Sequence, residues 1–246
     1  MSNNYEILRQ ADKEHDLFQN PGRPASGVKR KHSRSDKTDP AREESVKLVQ
    51  RLFLSVGAQS PRIVVFSSVE HGNGCSKVCA QVAEGLASQI EGAVCLVDAN
   101  LRSPTLHHLF QIENELGLVD AVAQSGPIKN FIQPFRGSNL WILPSGPLLS
   151  DSHTLLSSDR FLSRLMELRQ EFSHVLIDAP PITPYADAVT LGRITDGLVL
   201  VLEANTTRRE TARKAKETLE AAKVRMLGAV LNKRTFPIPE RLYKRL

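Results

Sequence analysis

Apolar residues beyond residue 40 recur first with a helical period and then in short β-branched runs. A helix is predicted over about 41–55, because Pro40 can open a helix and apolar residues follow it at helical spacing. These residues are Val46, Val49, Leu52 and Phe53. The predicted strands are 62–67, 93–98, 139–143, 174–179, 197–203 and 226–231. Strands that alternate with helices indicate a three-layer, doubly wound α/β fold, with a mainly parallel sheet and helices on both faces.

The first 39 residues follow neither period. They mix charged residues with Pro, Ser and Gly, and they hold too little apolar surface to offset the entropy lost on ordering. We therefore expect a disordered, charged tail over 1–39 and one globular domain over 40–246. A chain of 246 residues with 41% hydrophobic content is long enough to bury a sizeable core in such a domain.

The rest of the composition predicts a cytoplasmic protein. The apolar runs are far shorter than the roughly 20 residues that a membrane-spanning helix needs. Residues 1–10 are polar and do not form a signal peptide. The three cysteines are Cys75, Cys79 and Cys95. They are too few and too irregularly spaced for a disulfide framework or a tetrahedral zinc site, which favours a reducing compartment.

Positive charge is concentrated at the C-terminal end. Residues 205–246 hold 12 Lys and Arg against 4 Asp and Glu, whereas the preceding residues hold 20 against 23. Such a patch can attract nucleic acid, anionic lipid or an acidic partner. A solvated helix face is the simpler interpretation, because acidic residues are interspersed between 208 and 223.

A glycine-containing loop joins the first predicted strand to a helix, which is the context of a phosphate-binding loop. The loop spans 67–77. Gly72 and Gly74, on either side of Asn73, let the backbone turn so that amide groups point at an anion. Ser76 stands where the magnesium-binding hydroxyl of such a loop belongs.

This loop departs from the pattern G-x-x-x-x-G-K-[ST]. Cys75 stands in place of the lysine that reaches the β- and γ-phosphates, and Val69 stands in place of the first glycine. Glu70 adds a negative charge nearby. Lys77 lies two residues after Cys75, about 200° around the helix, so it should not point into the loop. The motif alone also fits an ordinary strand-to-helix turn.

Two other predicted strands end in an aspartate. Asp98 lies at the tip of strand 93–98, and Asp178 lies at the tip of strand 174–179. Carboxylate oxygens are ligands that magnesium prefers, and ligands bind at the C-terminal edge of parallel sheets. Either aspartate alone could cap the loop that follows it. Two such tips beside a glycine loop favour a nucleotide site.

Seven segments carry a series of motifs in chain order. They are 67–86, 98–106, 139–146, 155–157, 178–182, 186–187 and 228–234. Together they resemble the bacterial tyrosine kinase family of the CpsD/CapB type, a branch of the MinD/ParA-like P-loop ATPases. The resemblance covers about residues 40–240. The order of the series is more specific than any single motif.

The resemblance implies a site for ATP or ADP with Mg²⁺. It implies that Asp98 binds magnesium or acts as a general base, that Asp178 is the Walker B carboxylate, and that Ser76 supplies the magnesium hydroxyl. Asn232 matches the residue expected near the adenine base, with Arg234 close by. Asp98 and Asp178 are thus the candidate catalytic residues. The candidate nucleotide contacts are Gly72, Asn73, Gly74, Cys75, Ser76, Lys77, Arg102, Asn232 and Arg234.

Arg102 follows the Asp98 strand tip by four residues. A guanidinium at this position can contact phosphate or a neighbouring subunit, and a salt bridge within the chain is the equal alternative. Elsewhere the sequence departs from the family, with Lys77 in place of the following Thr and Asn100 in place of the second Asp of the D-x-D pattern. With Cys75, these changes predict weak or absent kinase activity.

Two further departures concern assembly and self-phosphorylation. The oligomer-forming E-x-x-R-x-x-R helix of the family is only partly kept, as Glu44, Lys47 and Gln50. Where family members carry a cluster of tyrosines near the C-terminus, the end of this sequence carries Tyr243. The resemblance still implies a homo-oligomer as one state of the protein.

The family resemblance implies a cytoplasmic regulator of exopolysaccharide or capsule synthesis and export. Its expected partner is a membrane-embedded polysaccharide co-polymerase, or chain-length determinant, which would hold it at the inner face of the membrane. We favour a pseudokinase-like docking module that binds nucleotide weakly or not at all. One alternative is an active ATP-dependent protein-tyrosine kinase. Another is a ParA/MinD-like positioning ATPase on DNA or membrane, although nucleic acid is the less favoured partner.

Overall fold

The computed structural model describes residues 40–54, 60–148 and 152–234. The predicted tail over 1–39 and Tyr243 lie outside these ranges. Seven strands form one sheet in the described part of the chain: β1 Ile63–Ser68, β2 Val94–Asp98, β3 Gln133–Pro134, β4 Leu140–Leu143, β5 His174–Asp178, β6 Gly197–Glu203 and β7 Met226–Asn232. Six of them were predicted, with ends that differ by at most one residue. The two-residue strand β3 was missed because it is too short to show an alternating pattern.

The strand order across the sheet is β3-β4-β2-β5-β1-β6-β7. Every neighbouring pair is parallel except β3 and β4, which are antiparallel. The central strands β2, β5 and β1 are buried on both faces, which explains their continuous apolar runs. The prediction of a mainly parallel sheet is therefore confirmed.

Eight α-helices surround this sheet within the described ranges: α1 Pro40–Phe53, α2 Cys75–Ala87, α3 Leu106–Phe110, α4 Leu118–Ala123, α5 Ser152–Leu156, α6 Asp159–Glu171, α7 Asp187–Arg193 and α8 Arg209–Ala221. A 3₁₀ turn covers Ile128–Phe131. The predicted helix over 41–55 is α1, and Pro40 is its first residue as expected. None of the described helices is both long and apolar enough to cross a bilayer.

Side chains that alternate along the strands divide the core into two layers. On β1, Val64 and Phe66 pack under α1, α2 and α3, while Ile63 and Val65 pack under α4, α6, α7 and α8. The sheet lies between these two helical layers, which confirms the three-layer, doubly wound fold. Because the strands are packed between these two layers, the loops at their carboxyl ends start from defined positions.

Candidate nucleotide site

Three strand tips meet at the carboxyl edge of the sheet. Strand β5 lies between β1 and β2, so that Asp178 is directly opposite Asp98 on one side and Phe66 on the other. Phe66 is followed by Ser67 and by the loop that leads into α2. The structure therefore brings the glycine loop and both predicted aspartates to one place, because adjacent parallel strands end at the same edge.

Asp98 is fully buried and is held by the chain that follows it. Its carboxylate accepts hydrogen bonds from the backbone N–H groups of Asn100 at 3.2 Å, Thr105 at 3.1 Å and Leu106 at 3.0 Å. Burial raises the pKa of Asp98 to about 6, and the three N–H donors oppose that rise. Asp98 is therefore positioned by the loop before α3 rather than by another side chain.

Asp178 is equally buried, but neither of its carboxylate oxygens has a hydrogen-bond partner among the described residues. Burial, followed by the charge of Asp98, raises the pKa of Asp178 to about 8. The side chains of Ser76 and Cys75 lie close enough to oppose this rise, yet neither meets the geometry of a hydrogen bond. Two facing carboxyl groups of this kind favour a proton or a cation between them.

These groups fit a magnesium ion that carries part of its own coordination shell. Asp178 has unpartnered oxygens, Asp98 lies opposite, and Ser76 supplies a hydroxyl on α2. Within the described ranges, no three His, Cys, Asp or Glu side chains are grouped so that they could hold a metal ion. A hard cation here would therefore take further oxygens from water or from a phosphate, as magnesium usually does.

The glycine turn has the backbone of a phosphate-binding loop without its lysine. Gly72 has φ +82° and Gly74 has φ +80°, and Gly74 is the N-cap of the 13-residue helix α2. The first helical residue is Cys75, whose exposed fraction is 8%. Burial, and then the nearby charge of Asp178, raises the pKa of the Cys75 thiol far above its usual range. The thiol is therefore neutral, and attraction for an anion comes from the amides and the helix dipole.

The loop is fastened to the ends of β6 and β7. Asn232 Nδ2 donates a hydrogen bond to the Asn73 carbonyl at 2.8 Å. Lys233 Nζ donates to the Gly72 carbonyl at 2.7 Å and lies 3.1 Å from Glu203 Oε2. The structure thus shows that Asn232, which was predicted to lie near a base, holds the loop that precedes α2.

The Asn73 side chain is occupied inside the loop. It is almost fully buried, its Oδ1 accepts a hydrogen bond from the Glu70 N–H at 3.0 Å, and its Nδ2 donates to Glu203 at 3.4 Å. Any contact from Asn73 to a ligand is therefore left to its backbone. Lys77 is exposed on α2, in agreement with the helical angle that places it away from the loop.

A cavity of about 350 Å³ lies at the ends of β6 and β7, beside the start of α8. Its lining combines apolar and polar side chains, among them Leu202, Asn205, Thr207, Arg209, Leu231 and Arg234. The volume is in the range of small-molecule sites. Arg234, one of the predicted nucleotide contacts, therefore lines a cavity next to the residues that fasten the loop.

Arg102 forms the salt bridge within the chain that was one of its two predicted alternatives. Its Nε lies 3.1 Å from Oδ2 of Asp187, which is buried and also accepts a hydrogen bond from the Ser152 hydroxyl. The Arg102 guanidinium lies 4.4 Å from the centre of the Tyr185 ring, and the His71 ring packs edge-on against Tyr185. Arg102, in the segment after β2, thus contacts Asp187 and Tyr185 in the segment after β5.

Sequence reasoning missed Lys233 and Glu203 as members of this site. Glu203 is the last residue of β6, and Lys233 directly follows β7. The rule that strand tips carry the chemistry of such sheets applies to both residues. From sequence the rule had been applied to the glycine loop after β1 and to the acidic ends of β2 and β5, whereas Asn232 was predicted from the family resemblance.

A doubly wound parallel sheet, with a glycine turn at a helix N-terminus and two acidic strand tips, defines the P-loop ATPase class. The chain is similar in fold to the cell-division ATPase MinD of Pyrococcus furiosus, with a TM-score of 0.59 and 24% identity over 75% of this chain and 78% of MinD. This likeness concerns the fold alone. No family model matches the chain.

Curated relatives identify the family. The chain is 36% identical over 180 residues to the tyrosine-protein kinase YwqD of Bacillus subtilis, which covers 73% of this chain and 75% of YwqD. It is 31% identical over 170 residues to the putative tyrosine-protein kinase CapB of Staphylococcus aureus, covering 69% and 74% of the two chains. This protein belongs to the bacterial tyrosine kinase family of the CpsD/CapB type.

Solved structures agree with that assignment. The crystal structure of the chimerical protein CapA2B2 has a TM-score of 0.76 and 25% identity, covering 82% of this chain and 88% of the chimera. The VpsO kinase domain has a TM-score of 0.74 and 27% identity, covering 80% and 95%. The predicted family and fold class are therefore both confirmed.

Proposed function

We propose that this chain is a regulatory component of capsule or exopolysaccharide synthesis and export whose use of ATP is impaired. It would act as a docking module on the cytoplasmic side of a membrane-embedded chain-length-determining partner. Membership of the CpsD/CapB-type kinase family supports the pathway. The chemistry of the loop supports the impairment.

The observation that carries the proposal is the neutral thiol of Cys75. The residue at this position in a working loop is a lysine that reaches the β- and γ-phosphates of the nucleotide. The buried thiol carries no charge, and its neighbour Asp178 adds negative charge when it ionises. Removal of the main counter-charge to the transferred phosphate typically costs several orders of magnitude in rate.

The remaining residues support weak nucleotide binding. Gly72 and Gly74 present the loop amides and the α2 N-terminus to phosphate groups, and Ser76, Asp98 and Asp178 would hold magnesium. Magnesium supplies charge neutralisation for the phosphates when it is bound. The cavity lined by Arg234 is suited to the base and sugar, with Asn232 at the loop beside it.

The family motif for self-assembly, on α1, is also only partly kept, which further supports a docking role. Lys47 on α1 stands at the first arginine position of the family motif and lies 3.2 Å from Glu43 and 2.9 Å from Glu44. Its ammonium is therefore shared between two carboxylates of its own helix. A homo-oligomer held by this helix would be weaker than one held by the full motif, which favours attachment to the partner protein over ring assembly.

The test is phosphate transfer by purified full-length protein with ATP and magnesium, on its own tyrosines and on an added tyrosine polymer. We expect turnover indistinguishable from that of an Asp98→Asn, Asp178→Asn variant. Heat denaturation with and without magnesium and ATP measures binding in parallel. Turnover near one per second in the wild-type protein would show that the loop is functional and the impairment proposal is wrong.

A further inference from the structure

Lys233 contacts the glycine turn of the loop that lacks the phosphate lysine. Lys233 Nζ is 2.7 Å from the carbonyl oxygen of Gly72, one of the two glycines of the turn. The residue before it in the chain, Asn232, is bonded to the Asn73 carbonyl. The last residue of β7 and the residue that directly follows it thus both contact the loop.

The contact extends to the residue that precedes Cys75. A Cβ atom added to Gly74 would lie 3.8 Å from Lys233 Cε and 2.5 Å from Asn232 Nδ2. The ammonium-bearing carbon of Lys233 therefore faces the side of Gly74 on which a side chain would stand. Gly74 directly precedes Cys75, so Lys233 brings a positive charge to the turn that leads into the residue from which the lysine of a working loop extends.

Lys233 is also able to turn toward a ligand. Its side chain is 49% exposed, and its partner Glu203 is 19% exposed. An ion pair whose lysine is half exposed to solvent is weak, and the lysine side chain has a flexible four-carbon stem. The phosphates of a nucleoside di- or triphosphate carry more negative charge than one carboxylate, so they would compete effectively for the same ammonium group.

We propose that Lys233 supplies the cationic contact to the phosphate groups of a nucleoside di- or triphosphate that Cys75 cannot supply. The inference rests on the nucleotide site of the proposed function. Lys233 approaches the loop from the end of β7, whereas the lysine of a working loop extends from the start of α2. Asn232 positions it through the bond to Asn73. Glu203 competes with phosphate for Lys233.

The experiment measures the affinity of the full-length chain for Mg²⁺–ADP and Mg²⁺–ATP by isothermal titration calorimetry. Lys233→Met is expected to weaken binding at least tenfold. Lys223→Met is the matched control, because Lys223 is also a lysine with positive φ, 57° against 54° for Lys233, and is exposed at the end of α8. We expect it to change affinity less than twofold.

A second pair of variants keeps the test decisive if Lys233→Met lowers stability. Glu203→Gln retains the lysine and removes the competing carboxylate, so affinity should rise about threefold. Cys75→Lys combined with Lys233→Met should restore affinity, because the charge returns from the helix side. Unchanged affinity in both Lys233→Met and Glu203→Gln overturns the inference.

The outcomes separate this inference from the proposed function. A wild-type protein that binds neither nucleotide overturns the role of Lys233 and leaves the docking module standing. A wild-type protein that transfers phosphate at about one per second contradicts the impairment, while the Lys233→Met affinity still decides the role of the lysine. Equal losses for Lys233→Met and Lys223→Met would indicate a general effect of net charge and would also overturn it.

Discussion

The two halves of the candidate site differ in what they retain. At the tips of β2 and β5, Asp98 and Asp178 are both buried and lie opposite each other in register. At the tip of β1, the glycine turn keeps its backbone, while the residue that should bring positive charge is the neutral Cys75. The site therefore keeps the backbone geometry of a phosphate-binding loop but lacks the positive charge of the loop lysine.

The difference teaches that fold similarity reports on the backbone of both halves and not on the charge that the loop carries. The sheet fixes the positions of the strand tips and the glycine turn, so a close structural match is expected whether or not the loop carries a lysine. The charge on the loop depends on one side chain. Substitutions that restore, distort or neutralise one half should therefore have separable effects.

The largest effect is expected from Cys75→Lys. This change returns the counter-charge to a loop whose backbone is already formed, and it places an ammonium group beside Asp178. If the carboxylate half is sound, ATP turnover should rise at least a hundredfold over the wild-type protein, measured as phosphate release with magnesium. Cys75→Met, similar in size and uncharged, should stay at the wild-type value.

A folded Cys75→Lys protein with wild-type turnover would contradict this expectation. It would place the defect in the carboxylate half as well, where Asn100 stands in place of a second aspartate. The comparison between the two halves would then fail, because both would be impaired. Circular dichroism and a thermal melt establish that the variant is folded.

A smaller effect is expected from distortion of the glycine turn. Gly74→Ala combines a left-handed backbone with a Cβ only 2.5 Å from Asn232 Nδ2, whereas Gly72→Ala has the same backbone strain and nothing within 4 Å of its Cβ. We expect losses in the free energy of unfolding of about 3 kcal/mol for Gly74→Ala and about 1 kcal/mol for Gly72→Ala. Urea denaturation measures both. Equal losses would mean that Asn232 is not packed against the turn.

The smallest effect concerns the carboxylate half and pH. The pKa of Asp178 is raised from 3.8 to about 8 on folding, so the folded chain keeps a proton that the unfolded chain releases within this range. The free energy of unfolding should therefore fall as pH rises from about 4 to 8, by roughly 1–3 kcal/mol in buffer without divalent cations.

Asp178→Asn should reduce this dependence, because the amide does not titrate, and should leave the smaller contribution of Asp98, whose pKa is raised to about 6. Asp159, exposed in the first turn of α6, provides the control Asp159→Asn, which should leave the dependence as it is in the wild-type protein. Urea denaturation at pH 5 and pH 8 is sufficient. A wild-type protein more stable at pH 8 than at pH 5 would mean that Asp178 is ionised in the folded state.

The fold could be predicted because its signals are regular and local. Six strands of the sheet were visible as short apolar runs, and the glycine turn and Asp98 and Asp178 followed from the rule that parallel strands end at one edge. This rule could not predict the two-residue strand β3. Its pairing is set by β4 and by a turn rather than by any pattern of its own.

Side-chain partners in the site could not be predicted to the same depth. Arg102 had two alternatives from sequence, and its choice of Asp187, 85 residues later, depends on how the β2 and β5 loops pack. The hydrogen bond from Lys233 to Gly72 joins residues 161 positions apart. Arg102 follows the end of β2 by four residues and Lys233 directly follows β7, but the direction of a long side chain is decided by its surroundings.

The attachment of the loop to β7 has a consequence for the order in which the protein matures. Residues 72 and 73 leave the ribosome long before residues 232 and 233, which are 159 to 161 positions further along the chain. During synthesis the nascent turn lacks these two anchors until β7 has been made and has joined the sheet. The anchored form of the turn therefore requires nearly all of the described chain.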